Sequence, residues 1–475
     1  MTPEHQIEAF IKEFVKDLEQ DAVAVFAGAG MSKGSGYVDW PELLRDVAAE
    51  LGLKIELEHD LISLAQFHVN HRKNSDGLAK RILQEFSEQA EPSPAHEILA
   101  RLPIHTYWTT NYDTLIEDAL RKAYRVPDVK HRNDDLTITR PKRDAVVYKM
   151  HGDVSAPKDA VLYKEQYETY YATHAPFVSA LGGDLVAKTF LFIGFSFTDP
   201  NLDYVLSRLH VFNNKKRNHY CIMREVQREA SDDDELFAYR QRKQAFRIDD
   251  LKRFGIQTLL VDEYADIPRL LERIEMRFRK KTVFVSGSAE EYGSWPRQDA
   301  LNFAHALAEE SVKADLRVVN GFGWGIGSSV INGALEAIYR NPMRYSEDQL
   351  VVRPFPQHGA NLPALWEEYR QRMISLAGIA IFVFGNKQDA SGAIVDAQGV
   401  RREFEIAIER GLVPIPVAAT GYMAKQLWDE VMADPAKFYP GMDWIVPHIR
   451  GLESRDPSDA DLVKRVVTII KTPNR

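Results

Sequence analysis

The stretch VAVFAGAGMSKGSGYVDW, residues Val23 to Trp40, decides the fold of the first half of the chain. It opens with four apolar residues, 23–26, which is typical of a strand buried on both faces of a parallel sheet. Glycines at positions 28, 30, 34 and 36 follow directly. A glycine-rich turn after a strand lets backbone N–H groups approach a phosphate or a dinucleotide pyrophosphate, although such a turn also serves as a tight connection without a ligand.

Three more apolar runs in this half, 104–110, 145–150 and 189–193, predict buried strands. Each leads directly into polar residues or glycine: Asn111-Tyr112-Asp113, His151-Gly152-Asp153 and Gly194-Phe195-Ser196-Phe197. Doubly wound α/β sheets bind their ligands at the carboxyl ends of the strands. We therefore expect these segments to meet at one edge of a sheet, beside the glycine turn.

The second half of the chain repeats this pattern. Its predicted strands are 282–285, 317–319, 379–384 and 413–417. They lead into Ser286-Gly287-Ser288, into glycines at 321, 323, 325 and 327, and into Gly385-Asn386-Lys387. The sequence thus predicts an α/β protein with two tandem, Rossmann-like, doubly wound parallel-sheet domains, residues 1–280 and 281–475.

The segments between the strands are predicted to be helical. Apolar residues at helical spacing begin the chain between Ile7 and Leu18, and residues 41–102 carry a helical pattern throughout. The charge-dense segment 224–250 is expected to form a surface helix, and 257–261 is expected to be the last strand of the first sheet.

Composition narrows the function classes. The chain has 475 residues and a formal charge of −9, which argues against general nucleic-acid binding. A single cysteine, Cys221, excludes disulfide frameworks and thiolate zinc clusters. The sequence has no leader-like segment and no apolar run of about 18 residues, so we expect a cytoplasmic protein that binds no membrane.

Four motifs, GAGMS, TNYD, HGD and GFSFTDPNL, occur in that order and resemble the sirtuin fold over about residues 1–280. The resemblance implies that NAD+ binds here, as substrate and without a metal. Its implied NAD contacts are Gly28, Ala29, Gly30, Ser32, Asp39, Asp113, Gly194 and Ser196. Its implied catalytic residues are Asn111, beside the nicotinamide ribose, and His151, the general base. Asp113 equally fits a helix N-terminal acid that interacts with the helix dipole.

Two departures from the sirtuin pattern count against an acetyl-lysine substrate. The four zinc cysteines of sirtuins are missing, and TDPNLDYV stands where the peptide-clamping segment is expected. The chemistry that remains is cleavage of the nicotinamide–ribose bond through an oxocarbenium-like state. The Asn111 amide can donate to and accept from water and ribose, and a histidine with a pKa near neutrality can accept a proton.

The motifs SGSAEEYG, NGFGWGIGSS and GVRREFEIA resemble the SLOG family over residues 282–475. SLOG domains are related to phosphoribohydrolases of the Lonely Guy type. The enzymatic relatives carry the segment Pro-Gly-Gly-x-Gly-Thr-x-x-Glu. Here the corresponding region keeps the glutamate, as Glu403, but lacks the Pro-Gly-Gly turn. The second domain is therefore expected to sense a ligand rather than to turn one over.

The order of the two domains resembles the effectors of the Thoeris anti-phage system, essentially end to end. The resemblance implies NAD+ depletion in abortive infection, switched on when the SLOG domain binds a cyclic ADP-ribose isomer made by a TIR-domain partner protein. It also implies a homo-oligomer, a tetramer or a higher assembly. The implied contacts of the signal are Gly287, Ser288, Gly323, Arg370, Lys387 and Glu403. Arginine and lysine suit a pyrophosphate and a carboxylate suits ribose hydroxyls, although Arg370 also fits a solvated helix face.

Three other functions remain open at this point. One is an NAD-dependent protein deacylase, and another is a Lonely-Guy-type nucleotide phosphoribohydrolase run by the second domain. The third is a non-enzymatic NAD-sensing module, which would not need Asn111 and His151.

Overall fold

A computed structural model of the chain describes residues 2–87, 90–197, 199–212, 217–229, 232–454 and 461–472. The chain divides into two units, residues 1–275 and 276–475. Each unit is built on one parallel sheet.

The sheet of the first unit has the strand order β3-β4-β2-β1-β5-β6-β7, and every pair is parallel. Its strands are β1 (Val23–Ala27), β2 (Thr106–Thr109), β3 (Pro127–Lys130), β4 (Ala145–Lys149), β5 (Thr189–Ile193), β6 (His219–Arg224) and β7 (Ile256–Val261). The strand order reverses around β1, which pairs with both β2 and β5. Ala27, the last residue of β1, lies opposite Thr109 and Ile193, and Thr109 in turn lies opposite Lys149. The segments after these four strands therefore start from adjacent positions at one edge.

The sheet of the second unit has the order β10-β9-β8-β11-β14, and it is also parallel. Its strands are β8 (Thr282–Ser288), β9 (Arg317–Asn320), β10 (Leu350–Val352), β11 (Ile379–Phe384) and β14 (Val413–Pro416), and a small hairpin is formed by β12 (Asn386–Gln388) and β13 (Ile394–Asp396). The central pair β8 and β11 aligns Ser288 with Phe384, so the segments after these two strands are again neighbours.

Helices cover the faces of both sheets. In chain order they are α1 (Glu4–Glu19), α2 (Ala29–Lys33), α3 (Trp40–Leu43), α4 (Arg45–Glu50), α5 (Leu61–Arg72), α6 (Asp76–Phe86), α7 (Pro94–Arg101), α8 (Leu115–Lys122), α9 (Lys164–Thr173), α10 (Ala175–Ala187), α11 (Pro200–Phe212), α12 (Asp234–Arg253), α13 (Ile267–Arg279), α14 (Arg297–Lys313), α15 (Gly327–Arg340), α16 (Leu362–Ile374), α17 (Gln398–Glu409), α18 (Tyr422–Ala433), α19 (Pro435–Phe438), α20 (Ile445–Arg450) and α21 (Asp461–Lys471). Short 3-10 helices lie at Ile55–Leu57, Asn133–Thr137, Pro157–Asp159, Tyr264–Asp266, Glu347–Gln349 and Ala418–Thr420.

The predicted fold class is confirmed, and its physical basis is the burial of the central strands. All residues of β1, β5 and β11 are buried. Helices on both faces exclude water from these strands, which is why their sequences are continuous apolar runs rather than alternating ones. Each large apolar side chain buried in this way stabilises the fold by roughly 1.5–3 kcal/mol.

At the level of single elements, one prediction was wrong and one strand of the first sheet was not predicted. Arg224 does not begin a helix; it ends β6, because it pairs with Val261 at the end of β7, and the helix α12 starts only later. Strand β3 was missed because its sequence is polar. Its Asp128 and Lys130 are buried and form an ion pair at 2.8 Å, so a half-polar segment lies at the edge of the sheet with its charges paired.

None of the helices in the ranges given above is long and apolar enough to cross a membrane. Within the same ranges, no group of three or more histidine, cysteine, aspartate or glutamate side chains is arranged to hold a metal ion.

Candidate active site and ligand-binding site

The glycine turn after β1 packs against the turn after β5. The Gly28 N–H donates to the Ile193 carbonyl and the Gly30 N–H donates to the Gly194 carbonyl, both at 2.9 Å. A Cβ added to Gly28 would lie 2.4 Å from the Gly194 oxygen, and Gly194 itself has a φ of +64°. These glycines are required because two backbone segments touch without space for a side chain. The contact of this turn with NAD+ stays a prediction.

Asn111 lies two residues after the end of β2. Hydrogen bonds fix both its backbone and its side chain. Its N–H donates to Thr109 Oγ1 at 3.0 Å. Its Nδ2 donates to the Gly28 carbonyl at 3.0 Å and to Ser32 Oγ at 2.8 Å. The sequence predicted that this amide would both donate to and accept from substrate and water. In the structure its nitrogen is engaged within the protein, so the carbonyl Oδ1 is the acceptor that remains.

Ser32 connects Asn111 to Asp113 through hydrogen bonds. Its hydroxyl donates to Asp113 Oδ2 at 2.7 Å, and the other carboxylate oxygen accepts from the Leu115 N–H in the first turn of α8 at 3.1 Å. Asp113 therefore acts as a helix N-terminal acid and also holds Ser32. The three predicted residues Ser32, Asn111 and Asp113 form one buried chain of hydrogen bonds.

Lys149, at the end of β4, was not predicted as a site residue, yet it joins the segments after β2 and β4. It is fully buried, and its Nζ donates to the Tyr112 carbonyl at 3.1 Å, to the Asp113 carbonyl, and to Asp153 Oδ2 at 2.5 Å. Glu117 lies 3.3 Å from the same Nζ. Burial by itself lowers the pKa of Lys149, but the charges of Glu117 and Asp153 outweigh burial and raise the pKa above its ordinary value.

His151 lies two residues after the end of β4 and is 1% exposed. The rings of Tyr167 and Tyr170, on α9, lie edge-on to the imidazole, with centroids 5.4 and 6.4 Å away. Its Nε2 lies 3.2 Å from Asp199 Oδ2, although the alignment falls short of a linear hydrogen bond. Burial lowers the pKa of His151, and the charge of Asp199 opposes this shift. The imidazole is therefore neutral at pH 7 and able to accept a proton.

Asp199 is a second site residue that the sequence did not point to. It belongs to the TDPNLDYV segment, which stands out only because it replaces the expected sirtuin segment. Its Oδ1 accepts from the N–H groups of Asn201 and Leu202, both at 3.0 Å, and so caps the start of α11. An aspartate followed by proline at a helix start was the signal available in the sequence.

Three of the predicted NAD contacts, Asp39, Ser196 and Ala29, lie outside the Asn111 network. Asp39 caps α3 by accepting from the Glu42 N–H at 3.2 Å, and it pairs with Lys33 at 2.7 Å. Burial raises the pKa of Asp39, but the hydrogen bonds from Lys33 and Glu42 outweigh burial and lower it overall. Ser196 is exposed, two residues beyond Gly194. Ala29 is the first residue of α2.

In the second unit, the predicted glycines again mark close backbone contacts. A Cβ on Gly287 would lie 2.3 Å from the Val383 oxygen, and one on Gly323 would lie 1.9 Å from the Gly287 oxygen. Ser288 Oγ donates to the Asn386 carbonyl at 2.9 Å. The segments after β8, β9 and β11 are therefore packed together at the carboxyl edge of the sheet.

Arg370 and Glu403 meet at this edge, although they lie on different helices, α16 and α17. The two side chains are 3.6 Å apart, and Ser286 Oγ donates to the other Glu403 oxygen at 2.6 Å. The Arg370 guanidinium also lies over the Phe355 ring, 5.1 Å from its centroid. With 17% of its side chain exposed, Arg370 is not on a solvated helix face. Burial raises the pKa of Glu403, and Ser286 and Arg370 oppose the shift.

Lys387 is the predicted contact that the structure leaves apart from this pair. It is exposed on β12, opposite Val395, and no carboxylate among the described side chains forms an ion pair with it. Its neighbour Asn386 is fully buried and was missed. The Asn386 Oδ1 accepts from the N–H groups of Glu290 and Glu291, at 2.9 and 3.0 Å, so it shapes the turn after β8.

Comparisons with known proteins agree with this architecture. Residues 105–246 match the SIR2-like domain family, and residues 266–473 match the Sir2- and TIR-associating SLOG family. The NAD(+) hydrolase ThsA of Bacillus cereus (strain MSX-D12) is 46% identical over 468 residues, which is 98% of each chain. The NAD(+) hydrolase ThsA of Acinetobacter baumannii (strain 532279) is 46% identical over 446 residues, 92% of each chain. Defense-associated sirtuin 2 of Bacillus subtilis is 30% identical over 208 residues, 42% of this chain and 20% of its own.

Proposed function

This chain belongs to the family of proteins named NAD(+) hydrolase ThsA, and we propose that its NAD+ hydrolysis is switched on by a cyclic ADP-ribose isomer in anti-phage defence. It is an NAD+ hydrolase with a SIR2-like domain followed by a SLOG domain. The observation that supports the reaction is that a fixed Asn111 amide and a buried His151 follow the neighbouring strands β2 and β4 at one edge of a parallel sheet.

The reaction consumes NAD+ and water and releases nicotinamide, ADP-ribose and one proton. The bond between ribose C1′ and the nicotinamide nitrogen breaks, and its electron pair stays with nicotinamide. Water forms the new C–O bond. Asn111 Oδ1 can accept a hydrogen bond from a ribose hydroxyl or from the attacking water and so orients it. His151 can accept the proton that is released, because a lowered pKa leaves its ring neutral at pH 7, and the Asp199 carboxylate opposes that lowering and so supports its basicity.

The signal is proposed to bind the second unit at Arg370, Glu403 and Lys387, with Gly287, Ser288 and Gly323 shaping the floor. Arg370 supports this assignment because its Nε is buried without a hydrogen-bond partner in the described chain, and a phosphate oxygen could supply one. Glu403 offers carboxylate oxygens to ribose hydroxyls. A signal that binds the active state more tightly than the inactive one must shift the equilibrium toward activity.

The partners follow from the same proposal. The signal would come from a TIR-domain partner protein, and the chain would act as a homo-oligomer, a tetramer or a higher assembly, in the cytoplasm. Neither nucleic acid nor membrane takes part. An oligomer offers the two-state element through which a ligand in one domain biases a distant site.

The test measures nicotinamide release by chromatography from full-length protein. It is run without signal and with a panel of cyclic ADP-ribose isomers, closed through the adenine ring or through a ribose hydroxyl. We expect one isomer to raise the rate and to change the solution scattering profile. Equal rates under all conditions would contradict the proposed switch, and no release in any condition would contradict the hydrolysis itself.

A further inference from the structure

Asp199 reaches His151 from a different element than the one that carries the histidine. His151 follows β4, whereas Asp199 precedes α11, and Oδ2 lies 3.2 Å from Nε2. Both imidazole nitrogens are buried and neither makes a well-aligned hydrogen bond among the residues that the structure describes, but only Nε2 has the Asp199 carboxylate beside it. The two nitrogens of the ring are therefore in different surroundings.

The position of Asp199 is fixed by the helix that it caps. Oδ1 accepts from the first two free N–H groups of α11, those of Asn201 and Leu202. A carboxylate that accepts from these N–H groups caps the helix and is held in place by it. One oxygen is thus anchored to the helix and the other is left to face the imidazole.

We propose that Asp199 is a positioning residue for NAD+ hydrolysis: its carboxylate keeps the proton of neutral His151 on Nε2, so that Nδ1 is the nitrogen that accepts the proton of the reaction. The proposal rests on the NAD+ hydrolysis assigned above. Oδ2 lies off the axis of a linear hydrogen bond, so the coupling is chiefly electrostatic. It is strong because His151 is buried and only 11% of the Asp199 side chain is exposed, so the charge is poorly screened. As the imidazole becomes charged during the reaction, the same carboxylate stabilises it.

Asp199 is the charged group among the titratable residues around this ring. Tyr167 and Tyr170 face the ring from α9, and burial raises the pKa of both above the ordinary value of 10.0, so they stay neutral. His174 follows α9, and burial lowers its pKa, with the charge of His151 adding to the shift. Removal of the Asp199 charge should therefore lower the pKa of His151 further, because no other carboxylate among the described residues opposes the effect of burial on this ring.

The variant that separates positioning from capping is Asp199→Asn. Asparagine caps helices about as well as aspartate, so α11 keeps its cap while the charge is lost. The matched control is Asp233→Asn, because Asp233 caps α12 by accepting from the Leu236 N–H at 2.7 Å. The measurement is kcat/KM for NAD+ as a function of pH, with the full chain and the isomer panel described above, together with the thermal midpoint.

We expect Asp199→Asn to lower kcat/KM at pH 7.5 by about ten- to a hundredfold and to move the acid limb of the profile to lower pH, since the base is weaker. Asp233→Asn should leave both unchanged, and neither variant should shift the thermal midpoint appreciably. An acid limb at the wild-type pH in Asp199→Asn would overturn the proposal, whatever happens to the rate. If the wild-type protein releases no nicotinamide, the proposed hydrolysis itself is contradicted. If the wild type is active and only the pH profile of Asp199→Asn is unchanged, the role of Asp199 alone is contradicted.

Discussion

The carboxyl edges of the two sheets share the same backbone arrangement, but their polar side chains are bonded differently. In both units, glycine turns pack backbone against backbone at the carboxyl ends of the central strands. In the first unit the polar side chains there are bonded to one another, from Asn111 through Ser32 to Asp113. In the second unit, Arg370 and Glu403 are only 3.6 Å apart without a linear hydrogen bond, and Lys387 is exposed.

This difference fits the two tasks. A reaction needs its groups held in one orientation before the substrate arrives, which a closed network of hydrogen bonds provides. A receptor for an anionic ligand needs donors that are positioned but still able to bind the ligand, and it gains most from charge-assisted contacts. Under the proposed function, the first edge orients the reacting groups and the second edge attracts the signal.

The largest expected effect is the loss of the oriented pair in the first unit. His151→Ala or Asn111→Ala should lower the rate of nicotinamide release by roughly 10²–10⁴-fold, because each removes a group that moves or orients the reacting proton and water. His219→Ala is the matched control, since His219 is also a buried histidine, bonded to the Phe190 N–H at 3.1 Å, but lies at the start of β6. Its activity per folded molecule should stay at the wild-type level. Full activity of His151→Ala would remove that residue from the mechanism.

The next effect concerns the buried lysine under the first edge. Lys149→Met leaves Glu117 and Asp153 without their cation, and it should lower the free energy of unfolding by about 3–5 kcal/mol. Lys130→Met should cost less, because Asp128 in β3 pairs with Lys130 but keeps a second ion pair with Arg143 at 2.9 Å. Only the Lys149 variant should also lower kcat. Denaturant unfolding followed by circular dichroism, beside the NAD+ assay at low temperature, measures both. Equal kcat values in the two variants would mean that Lys149 serves stability alone.

A smaller effect is expected at the second edge. Arg370→Ala removes one charge-assisted contact and should weaken binding of the activating isomer by about ten- to a hundredfold. Arg372→Ala is the control, since Arg372 lies on the same helix, is more than half exposed and pairs with Glu368 at 2.6 Å. Calorimetric titration of each variant, beside its activation curve, tests this. A wild-type response of Arg370→Ala would place the signal elsewhere.

The smallest effect is a pH dependence of stability in the second unit. The pKa of Glu403 is raised above its ordinary value of 4.5 in the folded chain, mainly by burial. The folded state therefore binds this proton more tightly than the unfolded state, and stability falls as pH rises from 4.5 through the raised pKa. Glu403→Gln should remove that loss, so the variant should gain stability relative to wild type toward pH 7. Melting curves at several pH values measure it, and a constant difference would contradict the expectation.

The sequence by itself determined the fold class. Apolar runs without alternation, such as 23–26 and 379–384, are typical of strands covered on both faces when glycines follow them directly. Glycines directly after those runs marked the places where two backbones touch, and polar residues at the strand ends marked the functional edge. These signals are local: each can be recognised in a short stretch of sequence, without knowledge of how the rest of the chain folds.

Only the tertiary structure decided which polar residues work together. Ser32 and Asp113 lie 81 residues apart, and Ser286 and Glu403 lie 117 apart. Their contacts exist because the strand orders bring distant segments to adjacent positions, and no local pattern contains a strand order. For the same reason Lys149 reads as an ordinary surface lysine in the sequence and Asp199 as a turn residue. Burial turns one into an internal cation and the other into the partner of His151, because a charge removed from water is stable only beside the partner that the fold supplies.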